Sequence, residues 1–246
     1  MKKVIEINLP RAWTELSNDQ LYYVYGLLAD NLGGTQIRTL CLFSWGRLQV
    51  VCRYGDSFLF RHDKEEFTVP VEVIVDAIKE LQFLEDVPTE PVRISRINGH
   101  EAVDTELNGV PFGTYLFCEN LYQGYLRTQN MTLLIQMANV LYNMEATRIN
   151  QAEKISTFYW WTALKAMFEK HFPNFFVRSA DTTGGIGGMS VQRQMQEAMN
   201  AQIRALTKGD ITKEQQVLAM DTWRALTELD AIARETNEMN RLYGKH

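Results

Sequence analysis

The sequence predicts an α+β protein that is mainly helical, with an N-terminal α/β part built on antiparallel hairpins, a helical middle and a C-terminal helical hairpin. Three observations lead there. Apolar residues recur at helical spacing over most of the chain, the period changes to two on either side of Tyr54-Gly55-Asp56, and strands and helices do not alternate as a doubly wound sheet requires. The segments are 1–110 for the α+β part, 111–178 for a helical part packed on it, 179–190 for a glycine-rich linker, and 191–246 for the helical hairpin.

Each element has its own signal. Val4, Ile5 and Ile7 before Pro10 read as a short strand, and Ser17-Asn-Asp-Gln20 has the form of a capping box that opens a helix with Leu21, Val24, Tyr25 and Leu28 on one face. Gly33-Gly34 are expected to end that helix, because glycine takes the left-handed C-terminal position without steric cost, and Thr35 then caps a second helix through Trp45. Residues 48–53 and 57–61 form a hairpin, Phe67-Thr-Val69 supplies a third strand, and a helix runs from Val71 to about Leu84. A second hairpin is expected from Val92-Arg-Ile94 and Ala102-Val103 around Asn98-Gly99, a dipeptide suited to a type I′ turn.

The rest of the pattern is helical. Thr114 to Arg127 carries Leu116, Phe117 and Leu121, Asn130 caps a helix faced by Leu134, Met137 and Leu141, and residues 151–172 form a long helix stopped by Pro173. Four glycines in five positions make 179–190 a linker. Beyond it, Gln192 to Thr207 is helical, Thr212-Lys-Glu-Gln215 has the form of a second capping box, and a last helix runs from there to about Tyr243.

With 246 residues and 46% hydrophobic content, the chain buries a sizeable core and is neither disordered nor fibrous. Its net charge of −5 argues against an electrostatic grip on nucleic acid, which needs clustered Lys and Arg. Eight basic residues from Arg193 to Lys245 balance eight acidic ones after residue 188, so the whole acidic excess lies before the hairpin. Cys41, Cys52 and Cys118 are too scattered for a disulfide framework or a metal pair, which makes a reducing compartment the expectation. Glu6, Asn8 and Pro10 interrupt any apolar signal core, and no window offers the ~18 consecutive apolar residues of a membrane span. The expected location is the cytoplasm of a bacterial host, or a particle the protein joins, with no membrane and no nucleic-acid partner.

Chemistry-bearing patterns are sparse. Gly185-Ile-Gly187 has Ser190 where a dinucleotide fingerprint needs glycine, and no Lys-Ser/Thr follows the last glycine. His62, His100, His171 and His246 form no metal-ligand pair, and no serine or cysteine sits in a nucleophile frame. No catalytic, cofactor-binding or metal-binding residue is therefore assigned, and no cofactor is expected. Phe158-Tyr-Trp-Trp161 is distinctive because four consecutive helical residues point in four directions, so some must meet a second element or another subunit. Leu218, Thr222, Ala225, Leu229, Ile232, Thr236, Met239 and Tyr243 alternate steps of four and three, the spacing of a helix that meets a partner helix, and Trp223 and Leu226 widen the stripe. The candidate interaction residues are thus Tyr159, Trp160, Trp161, Leu218, Trp223, Leu226, Leu229, Ile232 and Met239. Two destinations are open for the hairpin, the chain's own residues 111–176 or another copy or protein.

Residues 197–230, together with Val110-Pro-Phe112, Glu119-Asn-Leu-Tyr-Gln-Gly-Tyr125 and Phe158-Tyr-Trp-Trp161, resemble an uncharacterised protein family encoded in the structural and tail modules of phages and prophages of gut anaerobes. The resemblance implies a non-enzymatic role in virion or tail assembly, as a tail assembly chaperone or a neck or tail component. Its implied partners are other phage structural or assembly proteins or further copies of the chain. The alternative from a different class is an enzyme with a cleft between the α/β and helical parts.

Overall fold

The structure is a computed structural model and describes residues 7–30, 32–176 and 191–243. The fold is mixed α+β and mainly helical, as the spacing predicts. The expected strand at residues 4–7 lies outside the described residues except for Ile7, which has no regular structure, and so does the linker at 179–190.

Ser17 opens α1 (Asn18–Ala29) with a complete capping box: its Oγ accepts from the Gln20 N–H, and Gln20 Oε1 accepts from the Ser17 N–H. Gly33-Gly34 do not end this helix; they open the next one. The helix stops at Asp30, and α2 (Gly34–Trp45) starts with Gly33 donating its N–H to Gln36 Oε1, its own φ an ordinary −70°. What Gly34 provides is space, since a Cβ there would lie 2.7 Å from Glu85 Oε1, which is itself bound to Arg38 at 2.8 Å.

A three-stranded antiparallel sheet follows in the order β1 (Gln49–Tyr54), β2 (Ser57–His62), β3 (Glu65–Pro70). Tyr54 pairs with Ser57 across Gly55-Asp56, and Gly55 takes the positive φ of +58° that such a tight loop needs. Phe58, Phe60 and Phe67 line one face of the sheet, where Phe60 meets Phe43 of α2 at 5.3 Å between ring centroids. Helix α3 (Val71–Glu80) ends short of the expected Leu84. Residues 82–85 tighten into a 3-10 turn instead, and Leu81 and Leu84 are buried there against the core.

The second hairpin is smaller than the sequence predicts. Asn98 and Gly99 take φ of +51° and +83°, as a type I′ turn requires, but only β4 (Arg96–Ile97) and β5 (His100–Glu101) pair. Ile94 is instead held by helices: its N–H donates to Ser156 Oγ at 3.0 Å, and its carbonyl accepts from the Tyr142 hydroxyl at 2.6 Å. Buried backbone groups were satisfied by distant side chains that no local signal announces.

The helical part comprises α4 (Phe112–Thr128), α5 (Met131–Leu141) and α6 (Gln151–His171). Asn130 caps α5 as expected, and Asn150 with Glu153 forms a capping box on α6. Helix α6 packs against α1 and α5 and meets α4 through side chains, and Trp160, Trp161, Leu164 and Phe168 are fully buried.

After α7 (Val191–Thr207), the expected continuous last helix is interrupted. Asp210, rather than Thr212, supplies the cap by accepting from the Thr212 N–H at 3.0 Å, and a 3-10 turn leads into the short α8 (Glu214–Leu218). The chain then breaks at 219–221 before α9 (Thr222–Tyr243). The break has a physical cause. Phe112 donates its N–H to the Met220 carbonyl at 2.7 Å, Thr222 donates its N–H and its hydroxyl to the Val110 carbonyl at 2.9 and 2.7 Å, and Pro111 bridges Asp221 as an isolated antiparallel pair. Ala219 and Met220 still bond back to Gln215 and Val217, but the Met220 carbonyl and the Thr222 N–H are taken by residues 110–112, so the helix does not run through.

Candidate interaction surfaces

The four aromatics of α6 point four ways, and each finds a partner in the chain itself. Phe158 stacks on Tyr122 of α4 at 5.6 Å, and Tyr159 lies half-buried against Tyr25 at 5.8 Å and Trp13 at 6.4 Å. Trp160 donates its Nε1–H to the Thr105 carbonyl at 2.7 Å and carries Arg93 over its ring at 5.3 Å. Trp161 donates to Glu119 Oε2 at 2.9 Å and stacks on Tyr115 at 5.8 Å. Glu119 also receives Lys165, whose side chain is 19% exposed, so this indole caps a partly buried ion pair. Trp160 and Trp161 are core residues, Phe158 and Tyr159 are half-buried, and all four have partners in their own chain.

The hairpin stripe divides along its length. Leu226 and Leu229 are buried, Leu218 packs beside Gly113, and Trp223 sits edge-on to Phe168 and His171 at 5.3 Å each while its Nε1–H reaches the Glu106 carbonyl. Asp230 accepts from the Asn174 N–H, the Asn174 amide and the Phe175 N–H at 2.8, 2.9 and 3.0 Å, and so caps the helical turn after Pro173 from outside. Ile232 is half-buried, whereas Met239 is 55% exposed, and Leu242 and Tyr243 are more exposed still. The first half of α9 is thus occupied by the chain's own body, and its last turns are bare.

Sequence reasoning missed two further apolar surfaces. Phe117, Leu126 and Met131 are exposed on α4 and α5, and every residue of β1 is exposed, including Val50, Val51 and Tyr54. The hairpin pattern located β1, but nothing local says which strand of a sheet becomes its edge.

Hollows among the described residues include two that bear charged groups. One of about 430 Å³ lies between the C-terminal end of α2 and the start of β1, with Arg47 and Arg61 in its wall. The other, of about 560 Å³, lies where residues 90–91 and 104–106 face Met167 and His171 of α6. Within it, burial pushes the Asp104 carboxyl up, but the N–H groups of Asn108 and Glu106, the Asn108 amide and the Arg93 charge outweigh that and hold it below its ordinary value. His171 turns its Nδ1 to the Met167 carbonyl at 2.9 Å. Among the described residues, no three His, Cys, Asp or Glu side chains are grouped to hold a metal ion, and no helix is long and apolar enough to cross a membrane. Compared with protein-family models, with curated proteins and with solved structures, the chain matches none.

Proposed function

We propose that this chain is a non-enzymatic assembly or structural protein of a phage particle, a tail assembly chaperone or a neck or tail component, that works through protein contacts in the host cytoplasm or in the virion. The observation that carries the reading is the end of α9. Met239, Leu242 and Tyr243, 55%, 76% and 78% exposed, extend an apolar stripe whose earlier residues the body has already covered. A helix that continues a heptad row beyond its own core presents the face a second helix packs on. Arg234, Glu235, Glu238 and Arg241 balance to zero over the same turns, so no net charge opposes a helical partner there. The resemblance of residues 197–230 to the phage structural family supports the same reading.

Light scattering over a wide concentration range, together with pull-downs against the products of neighbouring genes, tests it. Association is expected, and Leu242→Glu with Met239→Glu is expected to abolish it without unfolding the body. A monomer at all concentrations that captures none of those products overturns the proposal. The enzyme alternative draws on the 560 Å³ hollow, where the Asp104 carboxylate is engaged by the N–H groups and amide of its own turn and His171 holds its Nδ1 against the Met167 carbonyl.

A further inference from the structure

The edge of the three-stranded sheet combines features that point to a ligand of definite chemistry. β1 is an edge strand with all six residues exposed, and among the described residues nothing pairs with its outer side. An unpaired edge offers backbone donors and acceptors to any extended chain laid alongside it. In a hairpin with a two-residue loop the closing pair, here Tyr54 and Ser57, exchanges backbone hydrogen bonds, so Arg53 directs its N–H away from β2.

Charge decides what such a chain would be. Residues 31–55 carry Arg38, Arg47 and Arg53 and no aspartate or glutamate, in a protein whose net charge is −5. Arg38 is paired with Glu85, whereas among the described residues Arg47 and Arg53 have no carboxylate partner. Arg53 lies over the Phe58 ring, on the edge itself. Arg47 enters the 430 Å³ hollow at the start of β1 together with Arg61, Tyr23, Ser44 and Gln49, with Asp63 the acid in its wall. Arg61 already binds Glu66 at 2.6 Å, but both side chains are nearly half exposed, so this pair is readily exchanged for another carboxylate.

The geometry points to β1 as the docking edge for an extended acidic segment of a partner protein, which adds as a strand and seats one carboxylate between Arg47 and Arg61. Val50 and Val51, now 46% and 43% exposed, gain cover from its apolar side chains. A second copy of β1 is a poor occupant, because antiparallel pairing would bring two sets of arginines into one seam, and the bulge between Val50 and Cys52 disturbs a regular ladder. The proposal rests on the reading that the protein acts through protein contacts and names one of its surfaces.

Fluorescence anisotropy of the full chain with a labelled peptide of alternating threonine and glutamate tests it, with the threonine–lysine counterpart as control. The acidic peptide alone is expected to bind, more weakly as salt is raised, and Arg47→Glu is expected to cost roughly tenfold or more in Kd, about 1.4 kcal/mol. Arg53→Pro should weaken binding beyond Arg53→Ala, since proline also removes the outward N–H, and unchanged thermal unfolding shows that the variants fold. Equal binding of both peptides, or indifference to Arg47→Glu, overturns the proposal. Ile7 lies beside Gly46, so the chain's own amino terminus is the competing occupant. A truncation of residues 1–6 that markedly tightens peptide binding assigns the edge to that terminus and also overturns the proposal. If Arg47→Glu and Arg53→Pro capture neighbouring gene products as well as the unaltered chain does, this edge is not the contact, yet the assembly reading stands. Failure of the unaltered chain to associate at all removes that reading itself.

Discussion

Asp230→Ala tests whether the first half of α9 belongs to the chain's own body. The Asp230 carboxylate accepts three hydrogen bonds at 2.8–3.0 Å, two from main-chain N–H groups at the start of the helical turn after Pro173 and one from the Asn174 amide. A bond to a charged acceptor contributes roughly 1.5–3 kcal/mol when its donor is left without water, but these residues are half-buried and water replaces part of the loss. Losing a helix cap alone costs about 1 kcal/mol. With water replacing most of the lost bonds, the net cost lies near that of a strong cap, about 2 kcal/mol, which for a chain of this size lowers Tm by roughly 4–8 °C. Urea unfolding followed by tryptophan fluorescence measures it, because Trp223 packs against Phe168, His171 and Phe172 one and two helical turns before this contact. Faster hydrogen exchange at the Asn174 and Phe175 amides should accompany the change. A stability loss below about 0.5 kcal/mol with unaltered exchange would refute the docking of residues 222–233 on the body, because exposed surface substitutions have effects of that size.

Trp160→Phe leaves the Thr105 carbonyl without its donor and a void beside Arg93, and should cost about 2–3 kcal/mol in chemical denaturation. Thiol labelling of the native protein should stop at Cys52, which is exposed, because burial pushes the Cys41 and Cys118 thiols up to about 12; labelling of all three at one rate would contradict that burial. The Asp104 carboxyl is held below its unfolded value, so its contribution to stability is present above about pH 3.8 and is lost as pH falls through the depressed folded value. Asp104→Asn should therefore flatten the acid limb of a stability–pH curve and leave its shape near neutrality unchanged.

Local chemistry was legible where one helix turn or one tight loop decides the outcome. The Ser17 and Asn130 caps and the turns at Gly55-Asp56 and Asn98-Gly99 depend on a few adjacent residues, and they form as their side chains and φ preferences dictate. Gly33-Gly34 was misread because the same dipeptide suits the end of one helix and the start of the next; Gly33 keeps an ordinary φ of −70° and bonds Gln36 Oε1 as the cap of α2. The break at 219–221 was illegible because the groups that bond the Met220 carbonyl and the Thr222 N–H lie at 110–112, far away in sequence.

For the interaction surfaces the division is sharper. By itself the sequence determined that this is a mainly helical α+β chain with an acidic body, a charge-balanced hairpin, an aromatic helix too dense for one face and a heptad row from Leu218 to Tyr243. Only the tertiary structure decided which of those apolar residues remain outside. Trp160 and Trp161 are consumed at the centre, the row from Thr222 to Leu229 lies against the body, and Met239, Leu242, Tyr243 and the β1 edge are left exposed. Periodicity reports that a side chain must be buried against something, whereas the identity of that partner depends on contacts between segments a hundred residues apart, which local preference does not encode.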